Sequence, residues 1–301
     1  MLKVIIYKLL KIFDIKISRY SSSLPLDLSR KKIHPRTISN LAEQKKVIIN
    51  LSFENGRTNR FFSLTPKSFD PHVFSIVYSI KKDPKHKVLS KLIFEMIESY
   101  KKKIILNNLS DFFGLKSNEN QKLNSYPVWS AVLPWEDTSI EDKLINFPKS
   151  VKVDRAKNGF VIKSDDPGKI MKEDMKNSLP SHINQYVSLL KSIKKNGYIP
   201  EVNNNYIEVE LLLKGDDFCW KPSGEGNHRA TVVASLGYKT IKAIVTRVVR
   251  FEDLDYWPNV INGSFEKTEA EQIFNRYFDA SPPDFNKDWI LYCKDLISNE
   301  S

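Results

Sequence analysis

The stretch SGEGNHRATVVASLG, residues 223–237, places two glycines, an acid, a histidine and an arginine directly before a short apolar run. A helix N-terminus presents unpaired N–H groups and the positive end of the helix dipole, so it can hold phosphate oxygens without further help. Gly224 and Gly226 allow a close backbone approach and positive φ angles. The pattern therefore predicts a phosphate-binding turn followed by a helix over residues 230–236, which ends at Gly237.

The side chains of this turn add candidate ligands. Arg229, in the first helical turn, can offer a bidentate guanidinium contact to phosphate, and His228 offers a further donor. Glu225 would be repelled by phosphate unless a divalent cation or a substrate hydroxyl lies between them, which makes it a candidate Mg²⁺ ligand or general base. The alternative is a β-to-α turn in which Arg229 and His228 only cap the helix and pair with neighbours.

Strand and helix patterns surround the turn. Upstream, YIEVELLL and FCWKP have the pattern of two hairpin strands joined at KGDD, and KTIKAIVTRVV downstream has the pattern of a further strand. The segment SHINQYVSLLKSIKKNG predicts a helix with Ser181 as its N-cap and Gly197 just past its end. Before it, YPVWSAVLPWED and GFVIKS predict two short strands, the first ending at Pro134.

The first half of the chain is basic. Residues 1–130 hold 24 Lys/Arg and 10 Asp/Glu, whereas residues 131–301 hold 23 and 26, so the net charge of +11 comes from the first half. PHVFSIVYSIKK and KHKVLSKLIFEMIESYKKK space their apolar residues as helices do, and KKVIINLSF predicts a short strand. The opening residues predict an amphipathic helix that either lies on an anionic membrane surface or packs on the protein's own core.

Together these patterns predict an α+β protein. The chain divides into four parts, which are an amphipathic helix, a mainly helical region, the domain that holds the turn, and closing helices: residues 1–22, 23–125, 126–250 and 251–301. In the last part, Thr268 and Glu271 have the spacing of a capping box, and DWILYCKDLI predicts the final helix.

The composition argues against several classes of protein. Cys219 and Cys293 lie far apart without a CxxC or His-rich neighbourhood, so we expect neither a disulfide framework nor a zinc site. No window approaches the roughly 18 uncharged apolar residues that a spanning helix needs, and lysines break the opening run, unlike a secretory signal. We therefore expect a cytoplasmic protein, which is peripheral on the inner face of the membrane if residues 1–19 contact lipid.

The segment GEGNHRATVVASLGYKTIKAIVTRV resembles the D/E-G-x-H-R segment of the ParB/sulfiredoxin superfamily, with its following LG and strand. The preceding SIKKNGYIPE is similar to the family's SI…G…P segment, and the resemblance covers about residues 126–250. It implies a ParB/sulfiredoxin-like mixed α/β domain. It also implies that the turn holds nucleotide phosphates, with five residues in contact: Gly224, Gly226, Asn227, His228 and Arg229.

Family members differ in chemistry, and this chain resembles some of them better than others. Sulfiredoxins carry a catalytic cysteine at the position of Asn227, whereas Cys219 here lies eight residues upstream. Partition proteins have an arginine-rich turn and a helix-turn-helix domain after it, which this sequence does not show. The pattern is closest to the members that phosphorylate free serine. On that pattern Glu225 is the motif acid and Mg²⁺ ligand, and Glu136 is the general base, with Asp137 as an equally placed rival.

The resemblance implies a nucleotide-dependent phosphotransferase that uses ATP or ADP, or CTP, with Mg²⁺, and acts on a small hydroxyl-bearing acceptor such as a sugar or an amino acid. The tail DYWPNVINGSFEKTEAEQIFNRYF is similar to tails of chains associated with bacterial surface-polysaccharide gene clusters. The alternatives are a non-catalytic nucleotide sensor or scaffold, and a ParB-like DNA-binding protein. Nucleic acid is the less expected partner because the half that holds the turn is slightly acidic.

Overall fold

A computed structural model describes residues 25–31, 33–42, 46–115, 121–157, 159–201, 205–224 and 226–299. The amphipathic helix predicted for residues 1–22 lies outside these ranges, as does Glu225. The described chain is an α+β structure around one mixed five-stranded sheet with the strand order β1-β2-β5-β3-β4. The strands are Leu26–Asp27, Val47–Ser52, Ile207–Lys214, Asp217–Pro222 and Thr240–Arg250.

The sheet joins the two halves of the chain. Strand β2 runs antiparallel to β5, with Val47 opposite Val245, so a strand from the basic first half pairs with one from the second. Strand β3 runs parallel to β5 and antiparallel to β4, to which it is joined by the two-residue turn Gly215–Asp216. One sheet therefore extends across the sequence boundary expected at residue 126.

Eleven labelled helices follow the chain order in the described ranges. They are α1 Pro35–Ala42, α2 Pro71–Lys82, α3 Leu89–Lys103, α4 Leu109–Phe113, α5 Gln121–Asn124, α6 Ile140–Lys157, α7 Pro167–Asn196, α8 Asn227–Ser235, α9 Pro258–Ile261, α10 Lys267–Phe278 and α11 Lys287–Ser298. Short 3-10 helices connect some of them.

Each face of the sheet buries a separate apolar layer. Side chains alternate along a strand, so Val209 and Leu211 of β3 face one layer and Leu212 faces the other. The first layer is covered by α2, α3, α7 and α8, and the second by the C-terminal helices and by the segment around Trp135. Residues 133–137 are thereby held against the end of the sheet where β4 leads into α8.

Most of the local predictions are confirmed. The hairpin β3–β4, strands β2 and β5, and helices α2, α3 and α11 lie where the patterns placed them, and α8 begins three residues earlier than expected. The fold class α+β is also confirmed.

Both cysteines are buried and free. Within the described ranges, every helix is too short or too polar to span a bilayer.

Four local predictions are wrong, and the first three concern segments that precede β3. Residues 126–134 form a 3-10 turn at Val128–Ser130 and loop rather than a strand, because Pro127 and Pro134 lack the N–H that a strand ladder needs. Residues 159–164 form no strand either. Helix α7 begins after Asp166, which caps it by accepting from the N–H of Lys169, so Ser181 lies inside the helix.

The capping box of α10 is also displaced from its predicted position. Glu266 is the N-cap and exchanges hydrogen bonds with Glu269, whereas Thr268 and Glu271 had been expected in these roles. A glutamate can serve as N-cap because its carboxylate accepts the N–H of the third helical residue, although Ser and Thr are the more usual residues there.

Candidate functional site

The glycine-rich turn lies directly on strand β3. Gly224 and Gly226 have φ angles of 48° and 106°, in the region that side chains disfavour. A Cβ on Gly226 would lie 3.0 Å from the Cα of Ile207, so no larger residue fits without moving the turn. The glycine thus brings the start of α8 against the sheet.

Helix α8 begins at this turn with free backbone donors. The N–H of Ala230 donates to the carbonyl of Gly226 at 2.8 Å, so the first intrahelical bond starts there. The N–H groups of residues 227–229 precede it, and no described side chain caps them. Because these donors lie at the positive end of the helix dipole, the start of α8 can bind an anion.

A cavity of about 300 Å³ opens beside the start of α8. It is lined mainly by basic and hydrogen-bonding side chains from four separate segments of the chain. We call it the histidine cavity and define it by Arg60, His72, His182, Tyr186, Asn227 and His228.

A hydrogen-bonded chain fixes the tautomer of one of these histidines. Nη2 of Arg60 lies 2.9 Å from Nε2 of His72, and Nδ1 of His72 lies 3.0 Å from the hydroxyl of Tyr186. A guanidinium only donates, so Nε2 of His72 accepts and its Nδ1 donates to Tyr186. His72 is therefore neutral. The ring of Tyr186 lies 4.9 Å from that of His228, which lies 5.1 Å from that of His182.

The pKa values of all three histidines are lowered. Burial, followed by the charge of Arg60, lowers the pKa of His72 well below its usual value of 6.5. Burial also lowers the pKa of His182, with Arg155 adding to the effect, and that of His228, with His182 adding to it. At neutral pH the described side chains of the cavity therefore comprise one permanent cation, Arg60, and three neutral imidazoles.

Arg60 is presented by a tight loop. The N–H of Thr58 donates to the carbonyl of Phe62 at 2.8 Å, and the hydroxyl of Thr58 accepts from the N–H groups of Arg60 and Phe62 at 3.3 Å. Phe61 at the tip has a φ of 67° and is buried, a conformation that costs about 1–3 kcal/mol for a non-glycine residue. Nη1 of Arg60 also lies 3.8 Å from the buried carboxylate of Asp70.

A second cavity, of about 250 Å³, adjoins the first. The two share Asn59, Phe112 and Pro222 in their walls, and we refer to these two adjoining cavities together as the cleft. The second is distinguished by two lysines and two carboxylates, and we call it the lysine cavity, defined by Glu136, Lys143, Glu210, Lys221, Gly224 and Tyr277.

The structure places Glu136 and Asp137, the two acids of the segment LPWED, in different environments. Glu136 lines the lysine cavity together with Gly224, and among the described residues its carboxylate has no hydrogen-bond partner. Asp137 is 80% exposed, forms an ion pair with Arg247 at 2.6 Å, and does not line the cleft. The geometry thus brings Glu136, but not Asp137, to the glycine-rich turn.

A buried asparagine holds Glu136 in place. Asn259, at the start of α9, is 1% exposed, and its Nδ2 donates to the carbonyls of Leu133, Glu136 and Thr138 at 2.9–3.1 Å. Its backbone N–H donates to the carbonyl of Pro134. The loop that carries Glu136 is therefore fixed by one side chain from a distant part of the sequence.

The predicted residues of the turn have different environments. Asn227 and His228 line the histidine cavity, and Gly224 lines the lysine cavity. Arg229 lines neither, and its guanidinium donates to the carbonyl of Asn205. Glu225 lies outside the described residues. The structure thus offers Arg60, rather than Arg229, as the guanidinium at the cleft.

The sequence patterns did not point to Arg60, His72, His182, Lys143 or Lys221. For His72 a signal exists, because Asp70 and Pro71 form a helix start that places residue 72 in the first turn of α2. The other side chains enter the cleft through tertiary packing alone.

Comparison of the chain with protein-family models, with curated proteins and with solved structures gives no match. Within the described ranges, no group of three or more His, Cys, Asp or Glu side chains is arranged to hold a metal ion. The chemistry of the cleft must therefore be argued from its own residues.

Acidification is expected to destabilise the protein through these histidines. Their folded pKa values lie below 6.5, so below that pH the unfolded chain binds protons that the folded chain does not. The stability they contribute is present above about pH 6.5 and is lost as the pH falls, by about 1.4 kcal/mol per unit of pKa difference for each histidine.

Thermal melts at about pH 7.5 and pH 5.5 measure this effect. We expect a lower melting temperature at the acid pH, and a smaller acid-induced drop in His182→Asn, which removes one of the three titrating groups. Equal drops in the parent and in His182→Asn would contradict this account.

Proposed function

We propose that the cleft binds a nucleotide and that the protein transfers its terminal phosphoryl group to a small hydroxyl-bearing acceptor, such as a sugar or an amino acid. ATP or ADP is the first candidate, and CTP a further one. The proposal rests on one observation. The N–H groups at the start of α8 and the guanidinium of Arg60 border a cavity that adjoins the cavity lined by Glu136.

Phosphate binding is the first half of this proposal. Phosphate oxygens accept from backbone N–H groups at a helix start and from guanidinium groups. The N–H groups of residues 227–229 and the side chain of Arg60 supply such donors from two sides, and His228 can add another. Bound phosphate would also favour protonation of the neutral histidines, so it would bind more tightly as the pH falls.

Phosphoryl transfer is the second half. An acceptor in the lysine cavity would place its hydroxyl oxygen near Glu136. That oxygen attacks the terminal phosphorus, its proton passes to the carboxylate of Glu136, and the bond from phosphorus to the bridging oxygen breaks. The products are the phosphorylated acceptor and a nucleotide shorter by one phosphate. Catalysis of this kind is mainly positioning and neutralisation of charge.

Mg²⁺ belongs to this proposal and would be held by few protein ligands. It is commonly held by one or two carboxylates together with substrate phosphates, and it would neutralise charge on the phosphate oxygens. Glu225, the expected ligand, lies outside the described residues. A second carboxylate adjoins the turn, since Oε2 of Glu208 lies 3.3 Å from where a Cβ on Gly224 would be. Glu208 is therefore a described candidate for the same role.

We also propose a relationship to the ParB/sulfiredoxin superfamily, supported by the order of hairpin, glycine-rich turn, helix α8 and strand β5. A role in cell-envelope polysaccharide synthesis, by a cytoplasmic protein with residues 1–19 at the inner membrane surface, belongs to the same proposal. Its support is the sequence pattern of the N-terminus and of the tail.

Calorimetry with Mg²⁺ and ATP, ADP, CTP or GTP tests nucleotide binding. Loss of a charge-assisted contact costs about 1.5–3 kcal/mol, so we expect Arg60→Met to weaken binding by about 10- to 100-fold. The matched change Arg229→Met should alter affinity by less than about threefold, because Arg229 lies outside both cavities.

Arg60→Met would leave the buried carboxylate of Asp70 without its counter-charge. Arg60→Met combined with Asp70→Asn removes that charge and keeps an oxygen to cap α2, so it separates loss of binding from loss of folding. Absence of nucleotide binding in the parent, or parent-like binding in this double variant, would refute the proposal. Binding without turnover under any condition would favour a nucleotide sensor.

A further inference from the structure

The lysine cavity contains hydrogen-bond donors that lack a partner among the described residues. Among the described residues, the almost fully buried ammonium of Lys221 pairs only with Glu210, at 3.1 Å. The ammonium of Lys143 donates to the carbonyl of Ala131 and lies 5.6 Å from the centre of the Phe147 ring. An ammonium carries three donors, so among the described residues each lysine keeps unused ones. Tyr277 is 2% exposed, and its hydroxyl has no described hydrogen-bond partner. This hydroxyl can therefore donate to or accept from a ligand in the cavity.

Acceptors in the same cavity are few. Glu210 is already engaged by Nε1 of Trp135 at 3.2 Å and by Lys221, with Nε of Arg247 at 3.9 Å. Among the described residues that line the cavity, Glu136 is the carboxylate without a hydrogen-bond or ion-pair partner. A ligand that uses the spare donors must therefore accept hydrogen bonds from the two ammonium groups, and a carboxylate is the group that accepts such bonds most strongly.

We propose that the acceptor is a small hydroxy acid whose carboxylate pairs with Lys143 and Lys221 and whose hydroxyl faces Glu136. This inference rests on the proposed phosphotransfer and names its substrate class. Phe113, Val132 and Leu133 supply apolar wall for the carbon skeleton, and the cavity volume of about 250 Å³ limits the ligand to about the size of a sugar acid.

The same geometry disfavours an amino acid. The ammonium of an amino acid would need a second free carboxylate, whereas Glu210 is engaged and Glu136 faces the hydroxyl. A hydroxy acid carries the carboxylate without the ammonium, so it matches the charges that line the cavity.

The electrostatics of Lys143 agree with an anion at this position. Burial lowers the pKa of Lys143, Glu136 opposes the shift, and the nearby charge of Lys221 adds to it. A carboxylate between the two lysines would offset the burial and the mutual repulsion of their charges.

Isothermal calorimetry tests the proposal with matched ligands, without nucleotide and with a non-hydrolysable ATP analogue. Glycerate is compared with glycerol and with serine, and glucuronate with glucose. We expect at least one of the two acids to bind, and its neutral counterpart and serine to bind at least about tenfold more weakly.

Variants locate the binding site. Lys143→Met is expected to weaken binding of the acid at least about tenfold, and Tyr277→Phe, which removes only a hydroxyl, to weaken it severalfold. Lys149→Met changes an exposed lysine on the same helix α6 and should bind like the parent. Parent-like melting curves for each variant exclude unfolding as the cause, and Tyr277→Phe serves alone if Lys143→Met does not fold.

Several outcomes would overturn the inference. The inference is wrong if neither acid binds under either condition, if each acid binds no better than its neutral counterpart, or if serine binds as tightly as glycerate. Loss of nucleotide affinity in Lys143→Met would mean that the lysines hold phosphate instead. Nucleotide binding that persists while the acids fail to bind would remove the hydroxy acid and leave phosphotransfer standing.

Discussion

Replacement of Glu136 by glutamine is expected to lower the rate of phosphoryl transfer by about 10²- to 10⁴-fold, the usual contribution of a general base. The amide has the same size as the carboxylate but cannot take the proton from the attacking hydroxyl. Nucleotide affinity should change by less than about threefold, because the proposed phosphate site is at α8 and Arg60. The measurement is ADP release in the presence of the matched acids and alcohols.

Asp137→Asn provides the matched control for this result. The neighbouring carboxylate is exposed and pairs with Arg247, so its amide variant should retain nearly the full rate. If Glu136→Gln turned over at a rate close to the parent's, or if Asp137→Asn were the slower of the two, the assignment of the general base would be wrong.

Replacement of Asn259 by aspartate is expected to lower the stability of the folded protein strongly. The change keeps the shape of the side chain but replaces two N–H donors with an oxygen that faces three backbone carbonyls. The site is buried, so the new group loses its partners and its charge is not compensated. We expect the free energy of unfolding to fall by about 3–5 kcal/mol.

Thermal melts should show this loss as a drop of about 5–15 °C. Asn146→Asp makes the same exchange at an exposed position of α6 and should change the melting temperature by no more than a degree or two. An Asn259→Asp protein as stable as the parent would show that these three contacts contribute little. Because Asn259 fixes the loop of residues 133–138, the folded fraction should also lose activity.

Elements with strong local chemistry were predictable from the sequence. The hairpin β3–β4 was found because alternating apolar residues flank a two-residue turn with Gly215, and α8 because Gly226 and Gly237 mark its limits. Residues 126–134 were predicted wrongly because their apolar content suggested a strand, whereas two prolines and a buried Trp135 fix a loop. Ser181 was predicted as the N-cap, yet α7 begins after Asp166 and continues through Pro180 and Ser181.

The cleft was only partly predictable from the sequence, because only part of it is built from residues that are neighbours in the chain. The glycine-rich turn is local, so its residues could be named from spacing. Arg60 and His182 come from segments more than a hundred residues apart, and they meet at the cleft through the packing of separate helices and loops. Neither lies in a pattern that distinguishes it from an ordinary surface residue. The placement of Glu136 likewise depends on Asn259, which no periodicity reveals.

The central position of β5 has a consequence for biosynthesis. It is the last strand to leave the ribosome, yet both β2 and β3 pair with it, and β2 pairs with residues about 200 positions later in the chain. At about 5–20 residues per second, β2 waits roughly 10–40 s for its partner. Until then the nascent chain carries two unconnected strand pairs with open edges, which invite aggregation. Translation pauses before residue 240 would therefore lengthen the time for which these strand edges stay open.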